Sequence, residues 1–298
     1  MQRHAKTNNS PTQMAGTLAV IGAMTLYAMN FVASRYSIQA GLTAYDLTAL
    51  RYLSAGLLLL PILIRYGPRD LAGIGWQRGM ILAILAGAPY MTEIFVGLHF
   101  SSAAHGAVLN PGFVPVVAAI GMWLVDGITI RPVKQFALLL IIIGLGLVTS
   151  FSFSSQSRVL FGDFLFLLSG LSWGVFTVLI RHWRLDPWRV AIVVSVLSML
   201  YLPVYFLYLD PQLSAVSLSH VIAQTLFQGI GLSIGALFLF GYGVKTLGPH
   251  RAAVFSPLVP VMAALFGLYV LNEVILLNQW AGIIFVIIGM YLAAKFSN

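Results

Sequence analysis

Ten mainly apolar runs follow one another along the chain and are separated by short polar connections. A helix needs about 20 apolar residues to cross the hydrocarbon core of a bilayer, so each run predicts one transmembrane helix. The predicted spans are residues 15–37, 44–65, 76–98, 103–125, 132–151, 159–182, 187–209, 219–243, 250–271 and 278–296. The pattern therefore predicts an all-α membrane protein that begins with a short polar cytoplasmic tail at residues 1–14.

Two of the predicted spans carry prolines in their middle, where a helix in water would break. One contains the segment HGAVLNPGFVPVVAAI at residues 105–120, and the other contains HRAAVFSPLVPVMAAL at residues 250–265. With an offset of 145 residues, the two segments share a first histidine, a central Val-Pro-Val and a following Ala-Ala. The same proline-containing helix therefore occurs twice.

The repeat extends over both halves of the chain. IIIG at 141–144 matches VIIG at 286–289. An offset of 146 residues aligns Gly16 with Gly162, Tyr27 with Trp173, and Arg35 with Arg181. We therefore expect two five-helix repeats, at 15–151 and 159–296, within one bundle. Because five is odd, the second repeat must cross the membrane in the inverted direction. Inverted repeats are typical of transporters, since a site between two similar halves can open to either side.

Composition agrees with lipid as the solvent. Hydrophobic residues make up 59% of the chain and charged residues 8%, whereas about 25% of the residues of soluble domains are charged. The net charge is +8, but the basic residues are scattered singly and form no stripe, which excludes nucleic-acid binding. The chain has no cysteine, and no histidines or acids have metal-ligand spacing. We therefore expect no metal and no cofactor.

Lysine and arginine are divided unequally between the two sides of the predicted membrane. Thirteen lie on the side of the N-terminus and three, Arg35, Arg51 and Arg158, on the other. The positive-inside rule then places both termini in the cytoplasm of a plasma-membrane protein, in a bacterium the inner membrane. Arg35 and Arg51 are interpreted as lying near span ends, where snorkelling to the interface accounts for them.

Three segments resemble a known family. LYAMNFVASR at 26–35 resembles the first-helix signature of EamA-type proteins in the drug/metabolite transporter superfamily. DGITIRPVKQ…IIIGLGLV at 126–148 and LNEVILLNQWAGIIFVIIG at 271–289 resemble the ending of that family's repeat. The resemblance extends over essentially the whole chain and implies a ten-helix exporter of small metabolites. In one departure, the acid common near the end of the family's fourth helix is Asp126 here, with Glu273 in the second half.

Two helices of the repeat carry candidate substrate-binding residues at matching depths. They are Tyr27, Asn30 and Phe31 in span 1, and Trp173, Phe176 and Thr177 in span 6. Spacings of three and four place each set on one helix face. Aromatic rings beside a polar atom suit a substrate with a flat apolar group and a polar end. The alternative is aromatic packing between helices.

Glu93 is the only acid well inside a predicted span, about 7 to 8 Å from its outer end and one turn after Tyr90. Acids within the membrane are costly and by default functional. Glu93 and Tyr90 are therefore further candidates for the substrate site. The carboxyl group has three possible uses: it binds a substrate amine, carries a proton, or pairs with a structural neighbour.

The proline helices supply the remaining candidates. Prolines leave carbonyl groups without partners, so such helices usually pack against protein or line a cavity. Hinge or cavity-lining positions are predicted at Pro111, Pro115, Pro257 and Pro260. The alternative is a static kink. Asn110 either contacts the substrate or bonds a freed carbonyl.

GLSWG at 170–174 has the form G-x-S-x-G of a hydrolase. That motif works at a turn from strand to helix, whereas here it lies in the middle of a membrane helix, and small residues at helix contacts explain it better. The protein is therefore predicted not to be an enzyme. The predicted function is export of small amphipathic metabolites, most simply aromatic or hydrophobic amino acids, by alternating access through a central cavity. The alternatives are a broad-specificity drug or metabolite exporter, an intramembrane enzyme and a lipid-handling scaffold. The implied partners are a small-molecule substrate and the lipid bilayer.

Overall fold

The computed structural model describes residues 11–155 and 157–296 and is helical in almost all of them. Ten helical segments of this part are long and apolar enough to cross a membrane. Numbered as spans 1 to 10, they are Thr12–Ala40, Ala44–Tyr66, Trp76–Phe100, Ala103–Asp126, Pro132–Thr149, Ser157–His182, Pro187–Tyr208, Leu218–Leu247, Arg251–Leu271 and Leu277–Lys295. The predicted fold class, a ten-helix membrane bundle, is confirmed. Of the predicted tail, residues 1–10 lie outside the described part.

The span edges depend on local signals that end each helix. Span 8 continues to Leu247, four residues beyond the predicted end, because Gly248 adopts a φ of 87° that stops the helix. Span 2 begins with a capping box, in which the Thr43 hydroxyl accepts from the backbone N–H of Asp46 and the Asp46 carboxylate accepts from the backbone N–H of Thr43. An even number of spans puts both chain termini at one end of the bundle, here called the terminal end.

Several spans are not continuous α-helices. Span 3 consists of the helices Trp76–Ala86 and Ala88–Phe100, which meet at Gly87. The freed N–H of Ala88 donates to the Ser198 hydroxyl of span 7 at 3.1 Å, so the break is satisfied by protein. Span 8 contains wide π-type turns at Leu226–Ala236, between the helices Leu218–Thr225 and Leu237–Leu247. Such turns are rare in proteins, and those that occur are often found at functional sites.

The two proline helices differ in the backbone although they match in sequence. Pro111 and Pro115 lie inside an unbroken helix, Ala103–Asp126. In span 9 the helix Pro249–Ala253 ends before Pro257, and a second helix, Leu258–Val270, contains Pro260. Equivalent positions of the two repeats therefore adopt different conformations.

Spans 5 and 10 pack against each other through reciprocal contacts of the repeat. A Cβ atom on Gly144 would lie 2.7 Å from the carbonyl oxygen of Gly282, and one on Gly289 would lie 2.7 Å from the carbonyl oxygen of Ala137. The 145-residue offset turns the first contact into the second. Reciprocal contacts of this kind are typical of a two-fold axis. The two inverted repeats are thus related by a pseudo-two-fold axis that passes between these spans.

Candidate functional site

Three aromatic side chains of spans 3 and 6 form one cluster. The Trp173 ring lies 5.1 Å from the Tyr90 ring and 4.9 Å from the Phe176 ring, measured between centroids. Both distances fall within the favourable range for aromatic pairs. Tyr90 and Phe176 are buried, whereas Trp173 is 37% exposed. The cluster therefore presents part of one large ring, and the sequence alone did not connect Tyr90 with Trp173.

Asn110 links this cluster to the proline helix of span 4. Its amide nitrogen donates to the Ser169 hydroxyl of span 6 at 2.8 Å, and its amide oxygen lies 3.5 Å from the Tyr90 hydroxyl. Ser169 in turn donates to the carbonyl oxygen of Phe166 at 2.8 Å. These contacts join spans 3, 4 and 6 through side chains. They place Asn110 beside the aromatic cluster.

The candidate residues of span 1 make a different set of contacts within the bundle. Asn30 is 8% exposed, and its amide oxygen is buried without a hydrogen-bond partner among the described residues. Phe31 is buried and lies close to Gly106 and Phe166. Tyr27 packs against the main hydrophobic core, and no ring contact of the described residues joins it to Trp173. Asn30 thus brings an unsatisfied acceptor into the interior of the described structure.

Thr177 uses its hydroxyl within its own helix. The hydroxyl donates to the carbonyl oxygen of Trp173 at 2.8 Å, and the side chain is exposed. Threonine commonly bonds the carbonyl one turn earlier in this way. The structure thus gives Thr177 a local partner while Trp173 and Phe176 of the same helix contact each other.

Glu93 lies one turn after Tyr90 and is partly buried. One carboxylate oxygen, Oε2, is buried with no hydrogen-bond partner in the described structure. The ion pairs formed within residues 11–155 and 157–296 are His105–Asp163 and His182–Asp126, so Glu93 takes part in none. Pairing with a structural neighbour, one of its three predicted uses, is therefore not seen.

Arg51 points into the bundle, and its interpretation as a snorkelling residue is wrong. Its Nη1 donates to the amide oxygen of Gln228 in span 8 at 3.0 Å. Gln228 is 0% exposed and donates to the Ser34 hydroxyl of span 1 at 3.0 Å. Position along a span gives depth but not direction, so the sequence could not show that Arg51 faces span 8. Arg35, by contrast, donates to the carbonyl oxygens of Leu98 and His99 at the end of span 3.

A buried polar network closes the end of the bundle opposite the termini. His105 lies at its centre: Nδ1 donates to the Asp163 carboxylate at 2.8 Å, and Nε2 accepts from the Gln279 amide at 2.9 Å. The Ser101 hydroxyl donates to the same carboxylate at 2.7 Å. The Glu273 carboxylate accepts from the first backbone N–H groups of span 4, where the helix dipole favours a negative charge. Asp163 is 1% exposed. Its burial had no signal in the sequence.

Asp46 closes a second part of the same end. Its carboxylate accepts from the Tyr205 hydroxyl at 2.5 Å and from the backbone N–H of Gln212 at 3.2 Å, which ties span 2 to span 7 and the loop after it. Asp46 is 0% exposed. Across the described ranges, no three acids or histidines are grouped to bind one metal ion.

The terminal end carries two depressions. One of about 470 Å³ is lined by residues of spans 1, 8 and 9, among them Thr17, Leu247 and Phe255. The other, of about 230 Å³, is lined by Arg131, Lys134 and Arg181. The bundle is thus tied by buried hydrogen bonds at one end and indented at the other.

Ten spans in two inverted repeats, broken helices and unpaired polar side chains inside the bundle define a membrane transporter of the inverted-repeat class. The chain belongs to the EamA-like transporter family, whose model matches it twice, at residues 14–150 and 160–295. Each match contains five spans. The resemblance to this family noted in the sequence is confirmed.

Relatives with curated sequences are transporters without an assigned substrate. The chain is 26% identical over 279 residues to an uncharacterized transporter of Archaeoglobus fulgidus, covering 90% of this chain and 93% of that one. It is 25% identical over 226 residues to the uncharacterized transporter YwfM of Bacillus subtilis, covering 74% and 75%. One protein of known crystal structure has a TM-score of 0.62 at 19% identity, over 94% of this chain and 97% of that chain, a likeness of fold alone.

Proposed function

We propose that this transporter exports small amphipathic metabolites, in the first place aromatic and other hydrophobic amino acids. The observation that carries the proposal is the cluster of Tyr90, Trp173 and Phe176 beside the polar side chains of Asn110 and Glu93. A partly accessible indole ring suits a flat apolar group, and polar atoms nearby suit the charged end of the same molecule. Within the family, the sequence also resembles that of the aromatic amino acid exporter YddG.

Alternating access is the proposed mechanism. The end opposite the termini is tied by the networks of Asp46 and Asp163, whereas the terminal end carries the two depressions. The inverted repeats supply the means of exchange, because each half can take the conformation of the other. The prolines are the points at which the two helices would change shape. Span 9, now broken before Pro257, would become continuous, and span 4, now continuous, would break at Pro111.

The proposed location is the plasma membrane, the inner membrane in a bacterium, with the terminal end in the cytoplasm. The support is the thirteen-to-three division of lysine and arginine. In this orientation the depressions face the cytoplasm and the hydrogen-bonded end faces outward. An exporter would load its substrate from the side of the depressions.

Counterflow into proteoliposomes tests the proposal. Vesicles loaded with unlabelled tryptophan should take up labelled tryptophan and labelled phenylalanine. These rates should be about tenfold or more higher than the uptake of labelled lysine or aspartate by vesicles loaded with the same unlabelled charged amino acid. Protein-free vesicles give the background. Equal rates for aromatic and charged amino acids, or no uptake above background, would contradict the proposal. Uptake of an aromatic cation without a carboxylate at the rate of tryptophan would favour the broader drug and metabolite exporter.

A further inference from the structure

Arg51 and Glu93 are charged side chains inside two spans that are packed together. Thr48, one turn before Arg51, and Thr92, next to Glu93, place their hydroxyl oxygens 3.1 Å apart, which fixes span 2 against span 3 at this depth. Neither charge takes part in the ion pairs of the described ranges. An uncompensated charge within a membrane is costly and by default functional. Two packed spans therefore each carry one charged side chain inside the bundle, and no ion pair of the described ranges joins the two.

The guanidinium of Arg51 is held in one orientation and keeps a free donor. Gln228 holds Nη1, and Gln228 is itself fixed by Ser34. The Nε donor of Arg51 is buried and has no acceptor among the described residues. Gln228 lies on the π-type turns of span 8, where a departure from α-helical geometry aims a side chain that a regular helix would direct elsewhere.

Two buried acceptors without a hydrogen-bond donor in the described structure lie on spans 1 and 3. Glu93 Oε2 and Asn30 Oδ1 are both buried and without a donor in the part of the chain that the structure describes. Asn30 is one turn before Ser34, which is in the Arg51–Gln228 chain of hydrogen bonds. Tyr90 of the aromatic cluster is one turn before Glu93 in span 3. The free donor and the two acceptors thus lie on span 3 and on the two spans packed against it, spans 1 and 2.

We propose that Arg51 and Glu93 bind the two charged ends of a zwitterionic α-amino acid, an assignment that rests on the proposed function. The Arg51 guanidinium binds the α-carboxylate, for which its planar fork of donors is suited. Glu93 and Asn30 accept hydrogen bonds from the α-ammonium group. The side chain of the amino acid lies toward Tyr90 and Trp173. A zwitterion supplies a counter-charge to each protein group and leaves the site neutral, which a singly charged amine or acid does not.

Tryptophan and two analogues that each lack one of its charged groups distinguish these contacts. Tryptamine lacks the carboxylate and indole-3-propionate lacks the ammonium group. Apparent affinities are measured on purified protein from the rise in Tm with each ligand and from competition in counterflow. Arg51→Gln should lower the affinity for tryptophan about tenfold or more, as expected for one lost charge-assisted hydrogen bond, and leave that for tryptamine within about twofold. Glu93→Gln should show the opposite pattern: tryptophan binding falls and indole-3-propionate binding is retained.

Two further variants distinguish binding from structure. Arg51→Lys keeps the positive charge and should restore part of the preference for tryptophan over tryptamine. Arg65→Gln removes an exposed arginine in the last turn of the same span and should leave the preference unchanged. An Arg51→Gln protein that loses both ligands equally, or keeps the wild-type preference, overturns the assignment. Wild-type protein that transports no amino acid instead contradicts the proposed function.

Discussion

The His105 imidazole lies 2.8 Å from the Asp163 carboxylate, in a pair whose side chains are 8% and 1% exposed. A second pair of the same residue types, His182 and Asp126, lies 3.0 Å apart with 44% and 25% exposure. Both pairs join span 4 to span 6, one at each end, and the histidine is on span 4 in the buried pair and on span 6 in the exposed one. The chain thus contains its own comparison of a buried and an exposed contact between the same two helices.

This comparison gives a stability prediction. His105→Ala removes one of the hydrogen bonds of the Asp163 carboxylate and leaves the Gln279 side-chain nitrogen without its acceptor, which should cost about 1–3 kcal/mol because a buried polar group is left unsatisfied. His182→Ala removes a solvent-exposed pair and should cost at most about 1 kcal/mol. Unfolding in detergent, followed by the fluorescence of tryptophan, measures both. Equal destabilisation by the two variants would show that burial of the His105 pair contributes nothing extra.

The aromatic cluster gives a prediction about selectivity. Trp173→Ala removes an aromatic contact worth about 0.5–1.5 kcal/mol beyond burial and an apolar area worth about 1.5–3 kcal/mol. Transport of tryptophan should therefore fall about tenfold or more, and transport of alanine should fall less because alanine gains little from the ring. Counterflow with both substrates measures the difference.

The control for this prediction is Trp123→Ala, because Trp123 is 53% exposed on span 4 and belongs to no cluster described here. That variant should transport both substrates as the wild type does. An equal loss of tryptophan and alanine transport in a monodisperse Trp173→Ala protein would identify Trp173 as a packing residue.

Glu93 gives a prediction about energy coupling. Its proposed role in holding an ammonium group does not require a proton to cross the membrane with the substrate. Net uptake of tryptophan down its own gradient by wild-type protein should therefore proceed with equal pH on the two sides of the vesicle membrane. A strict requirement for a pH gradient that disappears in Glu93→Gln, with exchange retained, would identify Glu93 as a proton carrier.

The charge asymmetry gives a prediction about topology. A reporter fused after Asn298 should be active only as a cytoplasmic fusion, and one inserted in the connection between Phe100 and Ala103 only as an external fusion. The inverted repeat requires these two positions to lie on opposite sides. Activity of both reporters on one side would contradict the even number of spans as well as the orientation.

The architecture was predictable because its signals are local in the chain. Ten apolar runs give ten spans, and the 145-residue repeat gives the inversion of the second half. The direction in which a side chain points was less accessible, since it depends on how each helix is rotated against spans distant in sequence. Arg51 illustrates this limit: its contact with Gln228 joins residues 177 positions apart, across spans 2 and 8.

The candidate site was partly predictable for the same reason. Tyr90, Glu93 and Trp173 were recognisable as polar or aromatic residues at membrane depth, but the contact between Tyr90 and Trp173 joins spans 3 and 6. The break at Gly87 had a local signal in Pro89, at the start of the second helix, but the Ser198 hydroxyl of span 7 that satisfies Ala88 had none. Packing between distant spans decides each of these features.

Gly144 packs against span 10 and Gly289 packs reciprocally against span 5, so this pair of helices forms a symmetric contact at the pseudo-two-fold axis. In the proposed alternating access the two repeats exchange conformations, and every contact that differs between them has to be remade on the other side. A contact that maps onto itself under the same exchange stays as it is. Spans 5 and 10 can therefore hold the two halves together throughout the proposed transport cycle. The proline helices of spans 4 and 9, which differ in backbone conformation, would exchange their conformations around this contact.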